Sequence, residues 1–192
     1  MSIPTTGSSP GTAVADLSGH YTVDPTHSRL GFVARHAMVT KVRGSFMDFA
    51  GSFDMDASDW SASKAQATIQ VASVDTGNEQ RDSHLRANDF FDAPNYPQIT
   101  FTSTRVEQTA EDTFAVTGDL TIKGTTKPVT IELVYTGSAV DPFGNSRIGF
   151  EGTTIINRKD FGVNFNATLD TGGVLVSDKI TLELDISAIK AK

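Results

Sequence analysis

Four histidines, His20, His27, His36 and His84, and no cysteine bound the chemistry open to this chain of 192 residues. Thiolate–zinc, iron–sulfur and cysteine-nucleophile chemistry and any disulfide framework are excluded. His27 and His36 lie nine residues apart in one expected strand, His27 to His36. A regular strand turns such residues to opposite faces, so they cannot share a metal ion, and no metal site is expected. His36 has the parity of Leu30, Phe32 and Ala34 and is expected to point inward, as a satisfied interior group or as a contact for a ligand's polar end. Arg81, Asp82, His84 and Arg86 form the densest ionisable cluster. Asp82 and Arg86 suit an exposed i,i+4 helix pair; alternatively Arg81 or His84, near Phe90 and Phe91, meets a polar ligand end at an opening. Ser28 follows His27, but strand neighbours face opposite ways, which disfavours a nucleophile–base pair. With no nucleophile elbow, H-E-x-x-H, phosphate loop or dinucleotide fingerprint, no catalytic residue is expected.

The elements that position these groups must be strands. Val and Ile number 26 against 9 Leu, Thr contributes 24 and Glu 6, so β-branched residues dominate over good helix formers. Residues 1–16, with Pro4, Gly7, Pro10 and Gly11, have little to bury and are expected to form a flexible tail. Residues 17–192 then form a single domain, large enough to close its own core. From Tyr21 onward apolar and polar residues alternate with period two. Ala65, Ala67, Ile69 and Val71 share one face; so do Phe114, Val116, Leu120 and Ile122, then Val129, Ile131, Leu133 and Tyr135, then Ile180, Leu182, Leu184 and Ile186. Such strands pack one face only. Strands at His27–His36, Val42–Met55, Gln98–Val106 and Arg147–Asn157 bring the count to eight, with Tyr21–Asp24 a possible ninth. An up-and-down barrel or a sandwich fits these lengths. In Val42–Met55 the apolar parity switches, which predicts a β-bulge near Met47 and Asp48.

One segment departs from this pattern. Thr76-Gly77-Asn78-Glu79 has capping-box spacing, which predicts a short helix over about 78–88, ended by Phe90, Phe91, Pro94 and Pro97 and placed to cover one barrel mouth. The net charge of −7 disfavours nucleic acid. The longest basic clustering, Arg35, Lys41 and Arg43, reads as a solvated face. No run of 18 apolar residues exists, so no membrane-embedded segment is expected, and the start of the chain lacks a basic and apolar leader, which points to the cytoplasm unless a leader has been trimmed.

Twelve phenylalanines decide what the interior is for. Phe32, Phe46, Phe49, Phe53, Phe101, Phe114, Phe150 and Phe165 sit in or beside strands. Their plain reading is core, because an eight-stranded barrel is either filled or just wide enough for one small ligand. Ala34, Gly44, Gly51, Ala65, Ala67, Gly118 and Gly152 at inward-compatible positions lean toward space inside.

The chain resembles the YceI-like family in several stretches. They are Asp24-Pro25-Thr26-His27-Ser28, Val42-Arg43-Gly44-Ser45-Phe46, Arg81-Asp82-Ser83-His84-Leu85-Arg86 with Asp89-Phe90-Phe91-Asp92, Gly118-Asp119-Leu120-Thr121-Ile122-Lys123-Gly124, and Asn157-Arg158-Lys159-Asp160-Phe161-Gly162. The resemblance implies an all-β, antiparallel, eight-stranded, extended lipocalin-like barrel. It implies binding, transport or storage of a polyisoprenoid, such as an isoprenoid quinone, or a similar long-chain amphiphile, in a protein that is often a homodimer and needs no further cofactor. An apolar tunnel would then be lined by Phe32, Phe46, Phe49, Phe53, Ile69, Phe90, Phe91, Phe101, Leu120, Phe150, Phe165 and Leu184. Arg35, His36, Arg81 and His84 are the candidates for a polar head group. The alternative is an enzyme acting on a lipid inside the barrel.

Overall fold

Apolar–polar alternation resolves into eleven antiparallel strands in a computed structural model that describes residues 16–192. The expected tail lies outside the described residues except for Asp16. The strands are β1 (Gly19–Val23), β2 (Arg29–His36), β3 (Thr40–Phe46), β4 (Phe49–Met55), β5 (Lys64–Gln70), β6 (Val74–Asp75), β7 (Gln98–Ala110), β8 (Thr113–Ile122), β9 (Thr125–Val140), β10 (Ser146–Asn157) and β11 (Lys179–Lys190). Eight of them, in the order β1-β4-β5-β7-β8-β9-β10-β11, close on themselves through the β1–β11 pair. Closure leaves this ring no free edge.

The edge of β11 is shared. It pairs with β1 through Ala188–Lys190 and with β2 through Thr181–Asp185, so β1 and β2 follow one another along it. Between them Pro25–His27 forms a 3-10 turn capped by the Asp24 side chain, and the strand begins at Arg29 rather than at His27. The proline explains the late start: it pre-sets a turn and offers no amide to a ladder. His27 therefore stands on a turn, against Asp24. β2 folds back into β3, and β3 passes on to the two-residue β6.

The parity switch at Met47 and Asp48 is a strand break, not a bulge within one strand. The Met47 amide donates to the Ser73 carbonyl and Asp48 accepts from the Gln70 amide, so β3 and β4 leave this corner with different neighbours. β4 pairs with β5 from Phe49 to Asp54, whereas β1 reaches along its other edge only from Ser52 to Met55. The wall parts between β3 and the first residues of β4.

The helix α1 (Glu79–Arg86) lies within the expected 78–88 but starts two residues later than a capping box at Thr76 would place it. Asn78 is the N-cap, accepting from the Arg81 amide at 2.9 Å. Thr76 instead holds Asp82, which is 4% exposed and accepts from both the Thr76 amide and hydroxyl. The expected Asp82–Arg86 pair does not form. Arg86 reaches the Ala72 carbonyl and Glu79.

A candidate apolar tunnel

Two aromatic clusters fill the two ends of the barrel. At one end Phe114, Phe150 and Tyr21 are buried, with Trp60 set edge-on against Phe114 at 4.8 Å and Phe53 stacked on Tyr21 at 5.2 Å. At the other, α1 and the turn after it bring Phe90 and Phe91 over the mouth, Phe91 meeting Phe46 at 6.0 Å. Phe101 packs against both clusters from the middle of the wall.

Between them lies a cavity of about 320 Å³, within the range of small-molecule sites. Of the expected tunnel residues, Phe32, Phe46, Phe49, Phe53, Ile69, Phe90, Phe91, Phe101, Leu120, Phe150 and Leu184 all line it. Phe165 does not. It lies outside the lining, edge-on to His84 at 4.7 Å and tilted against Phe90 at 4.9 Å, where it backs the cap. The cavity is off-centre. Leu30, Ala34, Gly51, Ala65, Ala67, Leu182 and Leu184 on β2, β4, β5 and β11 line it while only half-buried. Inward aliphatic side chains keep accessible surface only where nothing packs beside them.

The small inward residues divide into two kinds. Ala34, Gly51, Ala65 and Ala67 border the cavity. Gly44 and Gly118 do not make room for a ligand, because rings from neighbouring strands already occupy the space. A Cβ at Gly44 would stand 2.4 Å from the Phe32 ring, and one at Gly118 2.5 Å from Phe101.

None of the four head-group candidates lines the cavity. Arg35 and His36 are exposed near the β2–β3 turn. His36 keeps its inward parity, but β2 outruns the barrel rim there, and its backbone bridges to Val176 rather than facing the interior. Arg81 donates to the Thr76 hydroxyl and carbonyl, and His84 pairs with Asp89 at 2.5 Å. These two brace the cap from outside.

Arg158, a residue the sequence reading left without a role, is the buried charge in the lining, 5% exposed. Its guanidinium donates to the carbonyls of Ser177, Val163, Phe165 and Val176 at 2.7–3.3 Å. Burial pulls its pKa below the ordinary arginine value, opposed by Asp178. With those donors engaged by the chain's own backbone, Arg158 ties the 163–178 segment across the mouth under the cap.

The strongest carboxylate shifts lie outside the tunnel. Arg147 donates to Asp24 and Asp141, each at 2.7 Å. Hydrogen bonding from Arg147 and Thr26 holds the Asp24 carboxyl well below the usual range, and bonds from Asn145 and Arg147 do the same for Asp141. This triad fastens the start of β10 to the turn before β2. Among the described residues no cluster of metal-ligating side chains is present, and no helix is long and apolar enough to cross a membrane.

A family model for the YceI-like domain matches residues 21–188. A UPF0312 protein of Staphylococcus aureus is 40% identical over 165 residues, covering 85% of this chain and 94% of that relative. Among solved structures, BcnA of Burkholderia cenocepacia superposes with a TM-score of 0.76 at 29% identity, covering 86% of this chain and 98% of BcnA. A polyisoprenoid binding domain from Saccharophagus degradans superposes with a TM-score of 0.69, covering 89% of this chain and 98% of that one; at 18% identity this likeness is one of fold. The sequence match spans the closed ring from Tyr21 in β1 to Ala188 in β11, and on it the chain belongs to the YceI-like family.

Proposed function

We infer that this protein binds a long apolar molecule, of the polyisoprenoid kind, inside its barrel and holds or carries it without transforming it. One observation carries the reading: an aliphatic and aromatic cavity, capped at both ends, whose buried charge is already engaged by backbone carbonyls. Membership of the YceI-like family and the polyisoprenoid binding domain among its structural neighbours support it. The expectation of a homodimer is part of this proposal.

Such binding draws on burial alone. Each methylene removed from water gives about 0.8 kcal/mol, so ten give about 8 kcal/mol before association costs, near the micromolar range. Affinity should therefore grow about fourfold per added methylene until the cavity is full. Titration with isoprenoid alcohols of increasing length, followed by quenching of Trp60, measures this. A rise followed by a plateau is expected; affinity independent of length would refute the reading.

A further inference from the structure

Between Arg29 and Phe46 the β2–β3 hairpin carries four cations and no acid, in a chain of net charge −7. Two of the four are matched at Glu183, Arg29 at 3.2 Å and Arg43 at 3.9 Å. The other two, Arg35 and Lys41, stand directly opposite each other in register, an arrangement that costs stability. The Arg35 side chain reaches only the Val39 carbonyl, at 3.5 Å.

The turn beyond them is also costly. Ala37 and Met38 adopt φ of 51° and 59°, a left-handed pair that hairpins usually give to Asn-Gly. The β8–β9 turn of the same chain follows that rule at its second position, with Lys123 and Gly124. The β2–β3 turn places Met38, 55% exposed, and Val39, 74% exposed, at its tip. The hairpin is held out stiffly, because Ala37 donates to the Leu175 carbonyl, the Arg35 carbonyl accepts from the Ser177 amide, and the Arg35 amide donates to the Ser177 hydroxyl.

An apolar tip with unneutralised Arg and Lys behind it matches a bilayer surface, apolar atoms meeting the acyl boundary and cations meeting acidic headgroups. The inner face of this hairpin is tunnel wall, with Leu30, Phe32 and Ala34 in the lining, and it borders the place where β3 and β4 part. We propose that the β2–β3 hairpin docks the barrel on an anionic lipid bilayer, with Met38 and Val39 entering the headgroup–acyl boundary and Arg35 and Lys41 against acidic headgroups. This goes beyond the ligand reading, and vesicles free of isoprenoid test it separately.

The test is co-sedimentation with vesicles of phosphatidylcholine alone and of equal parts phosphatidylglycerol and phosphatidylcholine. The protein should bind the anionic vesicles at least about tenfold more tightly and release in about 0.5 M salt, where the screening length falls to a few ångströms. A triple variant, Ala37→Asn with Met38→Gly and Val39→Thr, relaxes the turn and removes the tip. It should unfold at the same temperature or higher, yet bind about tenfold more weakly. Arg35→Gln with Lys41→Gln alters exposed side chains only and should lose about twenty-fivefold, at roughly fivefold per cation. Failure of the wild type to sediment with anionic vesicles, or equal sedimentation by both variants, overturns the proposal. So does a dimer that the triple variant splits while vesicle binding is absent, which would make the tip a contact between two copies of this chain.

Discussion

The two walls of this barrel follow the same alternation and meet opposite fates. On β8 and β10 the inward side chains Phe114, Val116, Leu120, Ile122, Ile148, Phe150 and Ile156 are all buried. On β2, β4, β5 and β11 the inward residues Leu30, Ala34, Gly51, Ala65, Ala67, Leu182 and Leu184 stay half-exposed around the cavity. Side-chain volume and neighbours make the difference. The packed wall answers its glycine, Gly118, with the Phe101 ring, while the hollow wall pairs Ala67 with Gly51 and Leu184 with Leu30 and leaves space beside them open. Both walls line the cavity, but the buried one carries more of the packing and the half-exposed one more of the room for a ligand.

Truncation should separate the walls most sharply. Phe114→Ala, on the packed side, should cost about 3–5 kcal/mol in chemical unfolding, the usual range for a buried phenylalanine. Leu184→Ala, at a cavity-lining side chain that is only half-buried, should cost clearly less and weaken ligand binding instead. Equal costs at the two positions would erase the distinction.

Filling the hollow side tests the same contrast in reverse. Ala67→Phe should exclude three or four methylenes of ligand, about 3 kcal/mol or roughly a hundredfold in affinity, with little change in unfolding. Titration with a long isoprenoid and a denaturant melt give the two readings.

The glycines offer a finer comparison. A Cβ at Gly118 would lie 2.5 Å from both the Phe101 ring and the Thr102 carbonyl, so Gly118→Ala should cost about 1–3 kcal/mol. At Gly51 the nearest atoms, on Val23 and Gln66, are 3.1 Å and 3.3 Å away, and Gly51→Ala should be the milder change in thermal unfolding.

The smallest effect concerns acid. Asp24 and Asp141 have their carboxyl pKa depressed in the folded state, so their contribution is complete above the unfolded carboxylate pKa and fades as pH falls toward the folded one. Arg147→Met should therefore move the acid-unfolding midpoint to higher pH, while leaving tunnel binding at neutral pH unchanged. Circular dichroism along an acid titration reads this directly.

Much of this was legible from period-two spacing. Parity assigns Ile69, Leu120 and Leu184 to the interior, and the structure puts them there. Parity says which way a side chain faces, but not how far a strand runs past the barrel rim, so parity alone puts His36 inside. It also cannot tell a bulge from a strand break at Met47, since both flip the pattern and only the partners of Ser73 and Gln70 decide. The rings over Gly44 and Gly118 depend on cross-strand register, which a single strand's residues do not carry. Arg158 escaped notice because its partners are backbone carbonyls, and these have no side-chain signature.

Native mass spectrometry of wild-type protein and Ala67→Phe, each purified without detergent from a bacterial host, tests the hollow wall most directly. The wild type should carry a lipid adduct that organic extraction identifies as a long-chain isoprenoid or kindred molecule, and Ala67→Phe should be bare. A bare wild type, or the same adduct on both proteins, would contradict the tunnel as a ligand site.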